Sequence, residues 1–270
     1  MKDLLKYHRP TPMTESEIRE VAPSVYAEEP SGHVSEKYTF IPTTQVIEDM
    51  ENLGWKVYSA EQRTARTRVR NNHTKHLLRF RNERLDTILG CYPEITLTNS
   101  HDGRNAFQFY VGLYRPEDKS SFVIRHSSLD GLRIKHQWYT LDEVRSVTQK
   151  VVDHLPILIE QVELLDNTVI TTAEQRQYVL KAMMTRWGKD YPDILTQVVM
   201  NPVRGKNVTL WNAFNNIQDK ILNGGITYTL PSKRKQTVRA ITNVDLKIKI
   251  NEDLWEVTQE YVRQRQVSIL

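Results

Sequence analysis

The chain has 270 residues, of which 39% are hydrophobic and 26% charged, with a single cysteine, Cys91, and a formal net charge of +4. That length buries a substantial core in one large domain or two modest ones, and a lone cysteine excludes an internal disulfide and a cysteine-based zinc site, as suits a reducing cytosol. No apolar run reaches membrane-spanning length and Met1 to Pro10 lacks the apolar core of a secretory signal, so the expected location is cytoplasmic, with no membrane partner.

Residues 1–37 are polar, carry Pro10, Pro12, Pro23 and Pro30, and show no sustained period. They read as an extended arm with at most one short helix at Glu15 to Val21, available to dock on a partner subunit. At Pro42-Thr43-Thr44 a helix opens, with a threonine hydroxyl as its cap, Val46, Ile47, Met50 and Leu53 on one face, and Gly54 as a left-handed stop.

Short strands follow at Lys56 to Ala60, Thr64 to Arg70 and His76 to Arg81. Their charge is lopsided: Arg63, Arg66, Arg68, Arg70, Lys75, Arg79, Arg81 and Arg84 have only Glu61 and Glu83 nearby. Arg66, Arg68 and Arg70 are two apart, so a strand aligns them on one face, where they repel unless an anion lies over them. A phosphate backbone or an acidic protein surface is the expected partner; the bland alternative is an edge strand blunted by charge.

Pro93 to Arg115 is the central hairpin. Ile95 and Leu97 alternate with polar neighbours, as do Phe107, Phe109, Val111 and Leu113, and Asp102-Gly103 supplies the turn. Alternation puts Phe107 and Phe109 in the core and turns Tyr110 and Tyr114 to the other face, as stacking candidates or ordinary surface tyrosines. Arg104, in the connection, joins the candidate cations. Ser121 to His126 and Leu132 to His136 add further strands.

The longest helix starts at a Thr140/Glu143 capping box, and Val144, Val147, Val151, Leu155, Leu158, Val162 and Leu165 step by three and four across an internal Pro156. That stripe suits packing on the sheet or a seam between subunits. Further helices run from Thr171-Thr172 to about Arg186 and from Val208 to Leu222, the latter stopped by Gly224-Gly225, with a loop between them at 191–207. A second basic run, Lys233, Arg234, Lys235 and Arg239, falls in a Gly-flanked loop expected to be mobile. Leu246, Ile248 and Ile250 alternate with lysines before Asn251 caps a final helix.

The expected fold is therefore α+β: an antiparallel sheet of roughly five to seven strands packed by a long helix, then a mostly helical C-terminal region. The expected divisions are an arm at 1–37, a core domain at 38–168 and the C-terminal region at 169–270.

Little in the chain points to catalysis. His101-Asp102, within Asn99-Ser100-His101-Asp102, invites comparison with metal-dependent phosphohydrolases, but a metal needs further ligands, which His73 and His76 supply only if the loops converge. There is no Walker-type loop and no nucleophile elbow. A non-catalytic protein without metal or cofactor is expected.

The motifs Phe40-Ile41-Pro42-Thr43, Leu53-Gly54-Trp55, Lys75-His76-Leu77-Leu78-Arg79-Phe80, Pro93-Glu94-Ile95, Asn99-Ser100-His101-Asp102-Gly103, Gly112-Leu113-Tyr114-Arg115 and Trp211-Asn212-Ala213-Phe214-Asn215 together resemble a family of phages, plasmids and related mobile elements, the domain of unknown function numbered 932. The resemblance runs from about Tyr38 to the final helix and implies a mobile-element protein of the bacterial cytoplasm, without naming an activity. Many relatives follow Gly-Leu-Tyr/Phe-Arg with a Cys-Ser-Asn-Gly-like turn; here Pro116-Glu117-Asp118-Lys119 stands there, so no role is carried over to it. The order helix, Gly-Trp, sheet, long helix also resembles Rad52-like single-strand annealing proteins, at fold level only.

The functional expectation is an oligomer binding nucleic acid, single-stranded DNA first, with Arg63 to Arg84 and Lys233 to Arg239 lining a groove. Its rivals are an interaction protein that disables a host defence and a metal-dependent nuclease using His101 and Asp102.

Overall fold

A computed structural model describes residues 11–34, 38–63, 72–103, 107–116, 120–124, 133–134, 140–188, 208–230 and 232–267. The expected strand at Thr64 to Arg70, the loop at 191–207 and Arg104 lie outside them. The chain divides into two compact units, Met1–Pro156 and Ile157–Leu270. The boundary thus falls inside the long helix Leu141–Asn167.

In the first unit, β1 (Trp55–Gln62), β2 (His76–Asn82), β3 (Tyr92–Asn99) and β4 (Phe107–Arg115) form an antiparallel meander. β5 (Ser120–Ile124) and the two-residue β6 (Arg133–Ile134) follow each other along the free edge of β4. The central hairpin pairs from Thr98↔Gln108 out to Tyr92↔Tyr114. Gly103 takes φ 71 in its connection, a conformation that costs glycine no Cβ clash.

One face of this sheet is apolar, carrying Val57, Ala60, Leu78, Phe80, Ile95, Leu97, Phe107, Phe109 and Val111. Covering it are α1 (Glu15–Val21), a 3-10 turn at Pro23–Tyr26 and α2 (Thr43–Asn52). Met13, Ile18, Ala22 and Val25 are buried in the same core, and the Met13 amide donates to the Val57 carbonyl at 2.7 Å beside the β1 bulge. The described N-terminal residues 11–34 are thus docked on the sheet rather than extended away from it. Their one short helix ends where expected, but the apolar residues that dock it are too widely spaced to show a period.

The long helix α3 (Leu141–Asn167) opens on the expected box, with the Thr140 amide on Glu143 Oε2 at 3.0 Å and the Glu143 amide on Thr140 Oγ1 at 3.2 Å. It is not the main cover of the sheet: among the described residues only its Val147 joins that core.

In the second unit α4 (Thr172–Trp187), α5 (Leu210–Asn223) and α6 (Val244–Val267) pack against one another. Trp211 stacks on Phe214, and Phe214 meets Trp255 edge to face, each at 5.6 Å. Tyr178 and Thr258 share a hydroxyl contact of 2.8 Å inside the same core. Asn251 does not cap α6: the helix starts earlier, with Asn243 Oδ1 accepting from the Leu246 amide at 3.0 Å. Asn251 sits within it, accepting from Gln218 Nε2 at 3.1 Å. The Leu246/Ile248/Ile250 alternation belongs to a helix, with Leu246 exposed and Val244, Ile248, Ile250, Asn251, Leu254, Trp255 and Thr258 buried.

Candidate functional site

Three of the motifs above, separate in sequence, converge under α2. Thr43 is the first residue of α2, and its hydroxyl does not cap the helix, for Pro42 precedes it with no side-chain cap. Thr43 Oγ1 instead lies 2.9 Å from His76 Nε2, 3.2 Å from His101 Nε2 and 3.0 Å from Asn99 Nδ2, which donates to it. All four side chains are fully buried. Ser24 Oγ closes the other end at 3.0 Å from His76 Nδ1, Tyr38 OH donates to the Ser100 carbonyl at 3.0 Å, and the Ser31 amide donates to the His101 carbonyl at 2.8 Å.

Burial holds the His76 imidazole neutral, pushing its pKa down to about 4. The Thr74 carbonyl, 3.3 Å from Nδ1, can only accept, so the proton belongs on Nδ1 and Nε2 accepts from Thr43. With one proton to give, the Thr43 hydroxyl then accepts from His101 Nε2–H and Asn99. The cluster is a buried polar pin between the N-terminal segment, α2 and the sheet, closed to solvent. His101 sits inside it and not on an accessible loop; Asp102 is half-buried, and its charge helps burial raise the Tyr38 phenol to about 12. No group of three or more metal-ligating side chains occurs among the described residues.

The opposite face of the sheet is polar yet also buried. Arg81 Nε donates to Glu94 Oε1 at 2.7 Å, and its guanidinium lies 3.4 Å over the Tyr114 ring. Arg79 reaches Thr96 Oγ1 at 3.4 Å and lies 3.9 Å from both Glu94 and Glu61. Arg79, Arg81 and Lys75 are 7%, 4% and 4% exposed. These three cations are removed from the expected groove: two are matched by internal carboxylates, and none offers a surface to a phosphate chain. Tyr114 serves Arg81 and not a base. The missed signal is Glu94, an acid directly across the ladder from Arg81.

Of the first basic run, Arg63 is exposed, and Arg66, Arg68, Arg70 and, in the hairpin connection, Arg104 lie outside the described residues. The second run differs from expectation in form. It is a paired hairpin, β7 (Thr227–Thr229) with β8 (Lys235–Thr237), in the register Thr229↔Lys235. Lys233, Arg234, Lys235 and Arg239 are all exposed, and none makes an ion pair among the described residues. Lys233 holds φ 61, where glycine is the easy occupant.

The base of this hairpin is fixed. The Gly225 amide donates to the Val238 carbonyl at 2.9 Å, and Arg186 donates to the carbonyls of Ile221 and Arg239. Gly224 has φ +64, and a Cβ there would stand 2.4 Å from the Val238 carbonyl oxygen, so glycine is required.

An α+β meander pinned by a buried polar cluster, followed by a helical unit bearing a basic hairpin, defines the class. The chain belongs to the family described as "Domain of unknown function (DUF932)", whose model matches residues 30–255. It is similar to two Escherichia coli (strain K12) proteins, UPF0380 protein YafZ and UPF0380 protein YfjQ. Each is 28% identical over 261 residues, covering 96% of this chain and 94% of the relative. No solved structure matches. No helix among the described residues is long and apolar enough to cross a membrane.

Proposed function

We propose that the protein binds nucleic acid without catalysis, through the hairpin Thr227 to Arg239, and that it works as a mobile-element protein in the bacterial cytoplasm. The observation that carries this is the set of exposed cations at Lys233, Arg234, Lys235 and Arg239 on a fixed base, with no acid paired to them among the described residues. Cations so crowded repel one another, and a polyanion relieves that repulsion while releasing its condensed counterions. Arg63 stays with the reading as an exposed cation of the first unit, while Lys75, Arg79 and Arg81 leave it.

Charge selects a polyanion; the single-stranded form rests on the fold-level likeness to Rad52-like annealing proteins, an associational ground. Mobility shifts of a labelled single strand at two or more salt concentrations test the reading, with duplex and RNA as competitors. Four phosphate contacts predict a log-log salt slope of about 3 in magnitude. Binding that ignores salt, or that survives Arg234→Ala/Lys235→Ala unchanged, removes the hairpin from the function. A host protein retained after nuclease treatment, with no nucleic acid bound beforehand, transfers the role to the rival interaction reading.

A further inference from the structure

The first unit carries the opposite charge in a concave setting. A cleft of about 550 Å³ opens between α1, the 3-10 turn and α2, with Ile18 and Ile47 among its apolar lining and Glu15, Glu28, Glu48 and Glu51 around it. Its one arginine, Arg19, is already committed, donating to Glu15 Oε1 at 2.7 Å and lying 3.9 Å over the Tyr26 ring. Glu28, Glu48 and Glu51 make no ion pair among the described residues. The negative field is felt inside the cleft: burial first, and then Glu15 and Glu51, raise the Tyr26 phenol to about 12, against the opposing pull of Arg19.

We infer that this cleft receives the basic hairpin of a second copy of the chain, so that the protein associates head to tail. Lys233, Arg234 and Lys235 at the turn complement Glu28, Glu48 and Glu51, and half-buried Leu230 gives the hairpin an apolar residue for the cleft floor. The contact joins two different surfaces, so it is heterologous and repeats into a ring or an open filament. It is small and charge-dominated, which makes it weak and salt-sensitive. It goes beyond the nucleic-acid reading and stands without it, although a bound polyanion would compete with the cleft for the same cations.

Charge reversal tests it on the full chain by sedimentation velocity at about 50 mM and about 500 mM salt, where the screening length falls severalfold. Wild type is expected to associate at the lower salt, and at least about tenfold more weakly at the higher. Glu48→Lys/Glu51→Lys and Arg234→Glu/Lys235→Glu are each expected to remain monomeric alone and to associate with each other when mixed. All four positions are exposed, and circular dichroism checks that both variants fold. A wild-type monomer at low salt, single variants that associate like wild type, or folded variants that fail to combine each overturn the inference. The Glu48→Lys/Glu51→Lys variant leaves the hairpin intact and is expected to keep its nucleic-acid shift whatever its state of association. Loss of nucleic-acid binding is therefore read separately, from the hairpin variant.

Discussion

The hydroxyl of Thr43 lies 2.9 Å from Nε2 of His76, at the start of a helix that would ordinarily use a threonine as its cap. The tertiary contact has taken the hydroxyl away from the local one. A neutral imidazole deep in the core needs that proton more than the solvated amides of a first helical turn need an acceptor.

His76 makes the fold acid-sensitive. Its folded pKa of about 4 lies below the ordinary 6.5, so the unfolded chain takes up a proton that the folded one refuses. Stability is therefore full above pH 6.5 and falls as the pH drops toward 4, by roughly 3 kcal/mol in all. Urea denaturation at pH 7.5 and pH 4.5 checks the slope, and a His76→Gln variant should lose that part of it.

Thr43→Val keeps the shape and removes the hydroxyl, leaving the two imidazoles and Asn99 short of a partner. The expected cost is about 1–3 kcal/mol by thermal or urea unfolding. Thr44→Val, one position on and exposed, should stay within about 0.5 kcal/mol of wild type. A loss at Thr43→Val no larger than at Thr44→Val would show that the hydroxyl contributes nothing to the pin.

Arg81 and Glu94 form a buried pair, and removing either alone strands a charge. Arg81→Met or Glu94→Gln is expected to cost about 3–5 kcal/mol, and the double variant less than the sum. A double-mutant cycle in urea measures the coupling. Additive losses would show that the pair contributes through packing on Tyr114 only.

The hairpin separates stability from binding. Lys233→Gly relieves a left-handed lysine and should leave stability within about 0.5 kcal/mol of wild type or higher, while binding weakens and the salt slope falls by about 0.7. Gly224→Ala does the reverse: its Cβ meets the Val238 carbonyl, so the hairpin base is destabilised by about 1–3 kcal/mol. Unfolding curves and mobility shifts on the same preparations distinguish the two.

Local chemistry is legible wherever it acts within a few residues. The capping box at Thr140/Glu143, the glycine stops at Gly54 and Gly224, and the alternation of Ile95, Leu97, Phe107 and Phe109 each give a helix end or strand face that the structure bears out. Where a periodicity competes with a longer one, as at Leu246 to Ile250 before Trp255, the short window misleads. The basic segments illustrate the same limit. Lys233, Arg234, Lys235 and Arg239 are exposed as their composition suggests, whereas Arg79 and Arg81 are buried because Glu94 and Glu61 come from neighbouring strands.

The residues alone determined an α+β chain of helices and antiparallel strands and the location of its cationic stretches, because caps, turns and amphipathic faces are set by neighbours in sequence. Only the tertiary structure decided which cations remain exposed and that Asn99 and His101 lie buried against Thr43. A charge is kept or cancelled by whatever carboxylate the register brings beside it, and a histidine becomes a pin or a ligand according to the hydroxyl and the solvent it meets after folding.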